Sequence, residues 1–135
     1  MLALAEHVSH WSKDPSTQVG AVVYDDNWRC HFGYNGYPSR LPDINLHDRP
    51  YKYPRVIHGE INAILNAGIS VQGMHLATWP WQSCDECAKF VIAAGIRSVL
   101  FPESNVQKER PGFDLALQLF EEAGMPVLQC NLVKE

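Results

Sequence analysis

Apolar and polar positions along the chain fall into short blocks separated by glycine, proline and acidic turns, and the blocks change period as they go. Leu2 to Val8 is helical in composition, and Pro15 closes the loop Ser12-Lys-Asp-Pro-Ser-Thr17 behind it. Val19 to Tyr24 is a near-continuous apolar run, the pattern of a strand buried on both faces. Asp25-Asp26-Asn27 reads as a turn and Trp28 to Tyr34 as the antiparallel partner, so residues 19–34 form a hairpin. No periodicity survives between residues 35 and 55, where Pro38, Pro42, Pro50 and Pro54 fall. A structureless stretch of that length in a small protein points to a functional loop.

Helix and strand then alternate. Gly59 to Ala67 is a short helix stopped by Gly68, and Met74 to Trp79 a third strand. Cys84 to Ala94 is a helix closed by Gly95, and Ile96 to Phe101 a fourth strand. Phe113 to Ala123 carries Phe113, Ala116, Leu117 and Phe120 on one stripe, after Pro111 and before Gly124. Val127 to Cys130 is a fifth strand. The order is α-ββ-α-β-α-β-α-β. It implies an α/β protein with a mostly parallel sheet covered on both faces.

The chain has 135 residues, 46% hydrophobic and 19% charged. That suits one compact globular domain spanning residues 1–135. The net charge is −4, and no run of Lys or Arg exists. Avid binding to a nucleic-acid backbone is therefore not expected, and a small substrate suits the charge better. No apolar stretch is long enough to span a membrane, and no signal peptide is recognisable, so a cytoplasmic protein is expected.

Four cysteines are present: Cys30, Cys84, Cys87 and Cys130. In a reducing compartment, the close pair Cys84-Asp-Glu-Cys87 reads as metal-binding or redox rather than as part of a disulfide framework. At a helix start its spacing puts both thiols on one face, where the positive end of the helix dipole favours thiolates. The redox reading wants the pair after the first strand of a thioredoxin-like unit, and here it follows the third. No second Cys-x-x-Cys exists to complete a four-thiol zinc site.

His58-Gly-Glu60 supplies the missing ligand. Residues at i and i+2 of a helix do not face each other, so His58 must sit at the helix mouth, with Glu60 in the first turn. Glu60 shares a stripe with Ala63, Ile64 and Ala67, where an unpaired carboxylate costs several kcal/mol. Two thiolates and an imidazole leave one position of a tetrahedral Zn2+ to water, as in catalytic sites, and the metal lowers the pKa of that water from about 15.7 toward 7. His-x-Glu followed by Pro-Cys-x-x-Cys is the signature of the zinc deaminases, and this chain matches it apart from Ser83 before Cys84. Glu60 is then the proton shuttle, and the water is the nucleophile that displaces ammonia.

Several segments together give the chain a family likeness: residues 12–21 (SKDPSTQVGA), 33–38 (GYNGYP), 52–54 (KYP), 58–64 (HGEINAI) and 84–89 (CDECAK). The chain resembles the deoxycytidylate (dCMP) deaminases over nearly its whole length. The resemblance implies a cytidine deaminase-like three-layer α/β/α sandwich whose five-stranded mixed sheet has the order 2-1-3-4-5. It implies dCMP as substrate, dUMP as product, and a homo-oligomer, hexamer or dimer. It implies that Asn35 contacts the sugar and that Gly33, Tyr34 and Gly36 belong to an allosteric site for dCTP or dTTP. Lys13 is the expected phosphate partner.

The chain departs from the family at Ser83, where members carry Pro, at Gly59, at Arg40, and in the longer stretch Trp79-Pro-Trp-Gln-Ser83. Trp79 and Trp81 fit either core or pocket, and Asn35 fits a turn between glycines. Two other functions remain open. One is deamination of a 5-substituted deoxycytidylate or another amino-bearing ring. The other is a non-catalytic, zinc-stabilised module that senses nucleotides.

Overall fold

Chain direction in the hairpin and in the crossovers determines how the sheet is assembled. The computed structural model describes residues 1–103 and 110–131. Strand β1 (Gly20–Tyr24) pairs antiparallel with β2 (Cys30–Tyr34). Asp25 accepts hydrogen bonds from the Asn27 and Arg29 amides, and Trp28 adopts a left-handed φ of 64°. The turn therefore extends through Arg29, and β2 starts later than the apolar pattern suggests.

Strand β3 (His75–Trp79) lies against β1, and β4 (Ser98–Pro102) and β5 (Val127–Cys130) follow it outward, in the order β2-β1-β3-β4-β5. This is the five-stranded mixed sheet expected from the family likeness. The mostly parallel sheet expected from the alternation of elements is not found. Among the described residues β3–β4 and β4–β5 are parallel, but β1–β3 is antiparallel, like β1–β2. The crossover after β2 does make β3 run in the direction of β2. It docks beside β1, however, which runs the other way.

Helix α1 (Leu2–Ser9) lies over β1 and β3, packing Ala5 and Val8 on Val22 and Ala77. On the opposite face Ala63 of α3 (Gly59–Ala67), Ala88 and Val91 of α4 (Asp85–Ala93), and Ala116 and Phe120 of α5 (Phe113–Glu122) join Ala21, Val23, Leu76 and Phe101 in the larger core. Two glycines permit these helices to seat. A Cβ on Gly20 would lie 2.1 Å from the Ala5 carbonyl oxygen, and one on Gly33 would lie 2.1 Å from the Ala63 nitrogen.

The stretch 35–55 is not wholly without structure. Arg49–Lys52 forms a helical turn, α2, with Pro50 in its first turn, where the missing N–H costs nothing. Its Lys52 and Tyr53 amides donate to the Asp48 and Arg49 carbonyls.

Candidate metal centre and active-site cavity

Two helix N-termini converge on one point. His58 is the N-cap of α3 and Cys84 the N-cap of α4, both with extended backbone (ψ 153° and 173°). That geometry at residue 58 frees the imidazole from the i, i+2 restriction and lets it meet Cys87, which is buried in the first turn of α4. The His58 Nδ1 atom is 3.1 Å from Cys87 Sγ and 3.5 Å from Cys84 Sγ. All three donor atoms lie within 4.8 Å of one another.

A tetrahedral zinc with bonds of about 2.3 Å to sulfur and 2.0–2.1 Å to nitrogen separates N from S by about 3.5 Å. The donor set fits that ion in both type and spacing. Among the described residues it is also the one His/Cys/Asp/Glu cluster with such proximity. As a bare triad the groups share protons. A hydrogen bond from Cys87 lowers the Cys84 thiol to about 4, against burial and with help from His58. The adjacent Cys84 sulfur and then burial push the Cys87 thiol up. The hydrogen bond to Cys84 raises His58 against the effect of burial.

Glu60 lies in the first turn of α3 and is 4% exposed. Burial raises its carboxyl above the ordinary value, while the His58 charge and a hydrogen bond with the Cys87 side chain oppose the rise. It opens on a cavity of about 210 Å³ that also meets His58, Cys84 and Asn35. The structure thus brings His58, Cys84, Cys87 and Glu60 into one site.

Asn35 reaches the same wall. Its side-chain Oδ1 accepts from the Val19 amide at 2.9 Å, and its Nδ2 donates to the Thr17 carbonyl at 2.8 Å. It therefore holds loop 14–19 as well as facing the cavity. Lys13 lies elsewhere. It is exposed, paired with Asp43 at 2.7 Å, and lines a neighbouring cavity of about 310 Å³ together with Tyr34 and Gly36. Gly33 does not line that cavity; it is pressed against α3.

Residues 1–103 match the family described as the cytidine and deoxycytidylate deaminase zinc-binding region. The chain belongs to that family. It is 38% identical over 135 residues to the deoxycytidylate deaminase of Pongo abelii, covering 92% of this chain and 74% of that one. It is 36% identical over 128 residues to an Aliivibrio fischeri protein named "uncharacterized deaminase in luxG 3'region", covering 92% and 86%. The crystal structure of the dCMP deaminase from cyanophage S-TIM5 in apo form superposes with a TM-score of 0.71 at 26% identity, covering 95% of this chain and 92% of that one. Family and donor set together make this chain a zinc-dependent deaminase, with the cytidine deaminase-like fold.

Sequence reasoning missed part of the deaminase cavity wall. Asp14 and Lys52 form an ion pair of 3.0 Å, each side chain 7% exposed, and both line the two cavities. Burial would raise Asp14, but the Ser16 and Thr17 amides and the Lys52 ammonium hold it below the usual carboxylate value. Both residues stood inside recognised motifs, yet 38 positions separate them, and no local pattern pairs them. Trp81 proves to be a cavity residue, stacked under Arg110 with the guanidinium carbon 3.7 Å from the ring centroid. Trp79 packs instead against the α1-side core. Nothing in the sequence around Arg110 announces its place.

Proposed function

We propose that the protein hydrolyses dCMP to dUMP and ammonia, with His58, Cys84 and Cys87 holding zinc and Glu60 moving protons. The observation that carries this reading is the buried carboxyl of Glu60 on the cavity wall beside the His-Cys-Cys cluster. Such a group is costly to bury without a task, and burial raises its pKa toward the range useful for proton transfer at neutral pH. Zinc, when bound, supplies an acidified water at its open position.

Glu60 takes a proton from the attacking water and passes it to the ring nitrogen beside the amino-bearing carbon. It takes up the second proton as the amine departs, and delivers it to the leaving group. Water is consumed, the carbon–nitrogen bond breaks, and the ring carbon ends as a carbonyl. Asn35, on the cavity wall, orients the sugar. The likeness to the Pongo abelii deoxycytidylate deaminase supports dCMP as the substrate.

A dCTP or dTTP effector is assigned, on the family likeness, to the second cavity, which Tyr34 and Gly36 line; Lys13 on the same wall is already paired with Asp43. On this reading Gly33 serves the effector site indirectly, by fixing β2 against α3. The family likeness supports a homo-oligomer, hexamer or dimer. Residues 1–135 act as one catalytic domain in the cytoplasm. Ammonia release from dCMP, CMP, deoxycytidine and a 5-substituted dCMP tests the substrate. dCMP should lead, and a nucleoside outrunning its monophosphate would contradict the proposal.

A further inference from the structure

Three cationic side chains line the Glu60 cavity: Arg49, Lys52 and Arg110. Their charges are not equivalent. Lys52 is 5% exposed and its ammonium is held by the buried Asp14 carboxylate, so that pair presents no net charge. Among the described residues neither Arg49 nor Arg110 forms an ion pair. Two guanidiniums with no ion-pair partner among the described residues therefore face a small cavity of a chain whose net charge is −4.

Both are placed by fixed elements. Arg110 lies flat on Trp81. Stacking uses the face of the guanidinium and leaves its N–H edge free for an anion. The Trp81 carbonyl accepts from Thr78 Oγ1 at 2.8 Å, and Gln82 next to it donates to the Phe113 carbonyl at 2.9 Å, three residues after Arg110. Arg49 begins α2, and the same turn carries Lys52 into the ion pair with Asp14. The buried pair anchors the turn that presents Arg49.

We infer that Arg49 and Arg110 grip the anionic end of the substrate, a 5′-monophosphate, while Lys52 positions Arg49 and is not itself a phosphate ligand. The inference rests on the dCMP reading and adds the residues that separate a nucleotide from its nucleoside. Planar guanidiniums match phosphate oxygens in a bidentate way, and both arginines stand at the exposed rim of the cavity, where a phosphate can reach them from solvent. The grip acts on substrate and transition state alike, so it affects binding more than turnover.

The test uses the zinc-loaded full chain with Arg49→Gln, Arg110→Gln, the corresponding lysine variants, and Arg29→Gln as a surface-charge control. Arg29 lies on the hairpin turn beside Asp25. Each glutamine variant should raise KM for dCMP and Kd for dUMP by about 10- to 100-fold. kcat for dCMP, kcat/KM for deoxycytidine and Kd for deoxyuridine should stay near wild type. Lysine should recover part of the loss, and Arg29→Gln should change nothing. Unchanged dUMP binding in both glutamine variants would overturn the inference, as would a parallel loss for nucleotide and nucleoside. If the wild-type protein releases ammonia from no pyrimidine, the dCMP reading fails. The comparison of dUMP with deoxyuridine binding then still decides the grip.

Discussion

Gly33 and Gly36 stand three residues apart in one motif and have opposite surroundings. A Cβ at Gly33 would meet the Ala63 nitrogen at 2.1 Å and the Gly59 oxygen at 2.4 Å, whereas at Gly36 it would meet nothing within 4 Å. Gly33→Ala should therefore push α3 off the sheet and cost about 1–3 kcal/mol or more, as overpacking does. Gly36→Ala should stay within about 0.5 kcal/mol. Urea midpoints of the two variants check this, and equal midpoints would refute the close approach. Activity should follow stability at Gly33, because α3 carries His58 and Glu60. The sequence showed the chemistry of His58, Glu60, Cys84 and Cys87 directly, since metal-ligand types at short spacing leave few alternatives. The packing reason for Gly33 was hidden, because a glycine in a motif looks the same whether a ligand or a helix lies against it.

Loop 12–19 is an element without regular structure, held from its interior. Asp14 is the hub, accepting the Ser16 and Thr17 amides and the Lys52 ammonium. Removing one partner of a pair this buried leaves the other charge uncompensated, which typically costs 3–5 kcal/mol. Asp14→Asn should accordingly lower unfolding free energy at neutral pH by an amount on that order. Because the folded Asp14 carboxyl is held below its usual value, its stabilisation is present above about pH 3.9, the unfolded value, and is lost as pH falls through the folded one. The gap between wild type and Asp14→Asn should narrow steadily in acid. A gap independent of pH would show that the carboxylate charge does not stabilise the fold. Helices and strands were legible from apolar periodicity, and α3 starts and stops where Gly59 and Gly68 suggested. The turn α2 was not legible, since four residues around a proline have no period to read.

At the scale of the molecule, the metal centre joins the N-termini of α3 and α4, two helices that otherwise make only modest contact with each other. Binding energy at such a joint adds to folding stability. A chelator should lower the unfolding temperature and abolish turnover together, and added zinc should restore both. Loss of turnover with an unmoved Tm would separate the metal from the fold. The strand order was foreseen through the family likeness rather than through periodicity. Alternation of helix and strand specifies that a crossover exists, but not which neighbour the arriving strand selects. That choice put β3 beside β1 and set the His58 and Cys84 helix ends side by side. Zinc content and dCMP turnover measured on the same preparations of wild type and Glu60→Gln test this arrangement most directly. About one zinc per chain in both proteins, with turnover lowered in the variant by several orders of magnitude, is the predicted result. A zinc-free wild type, or a Glu60→Gln variant turning over at the wild-type rate, would contradict it.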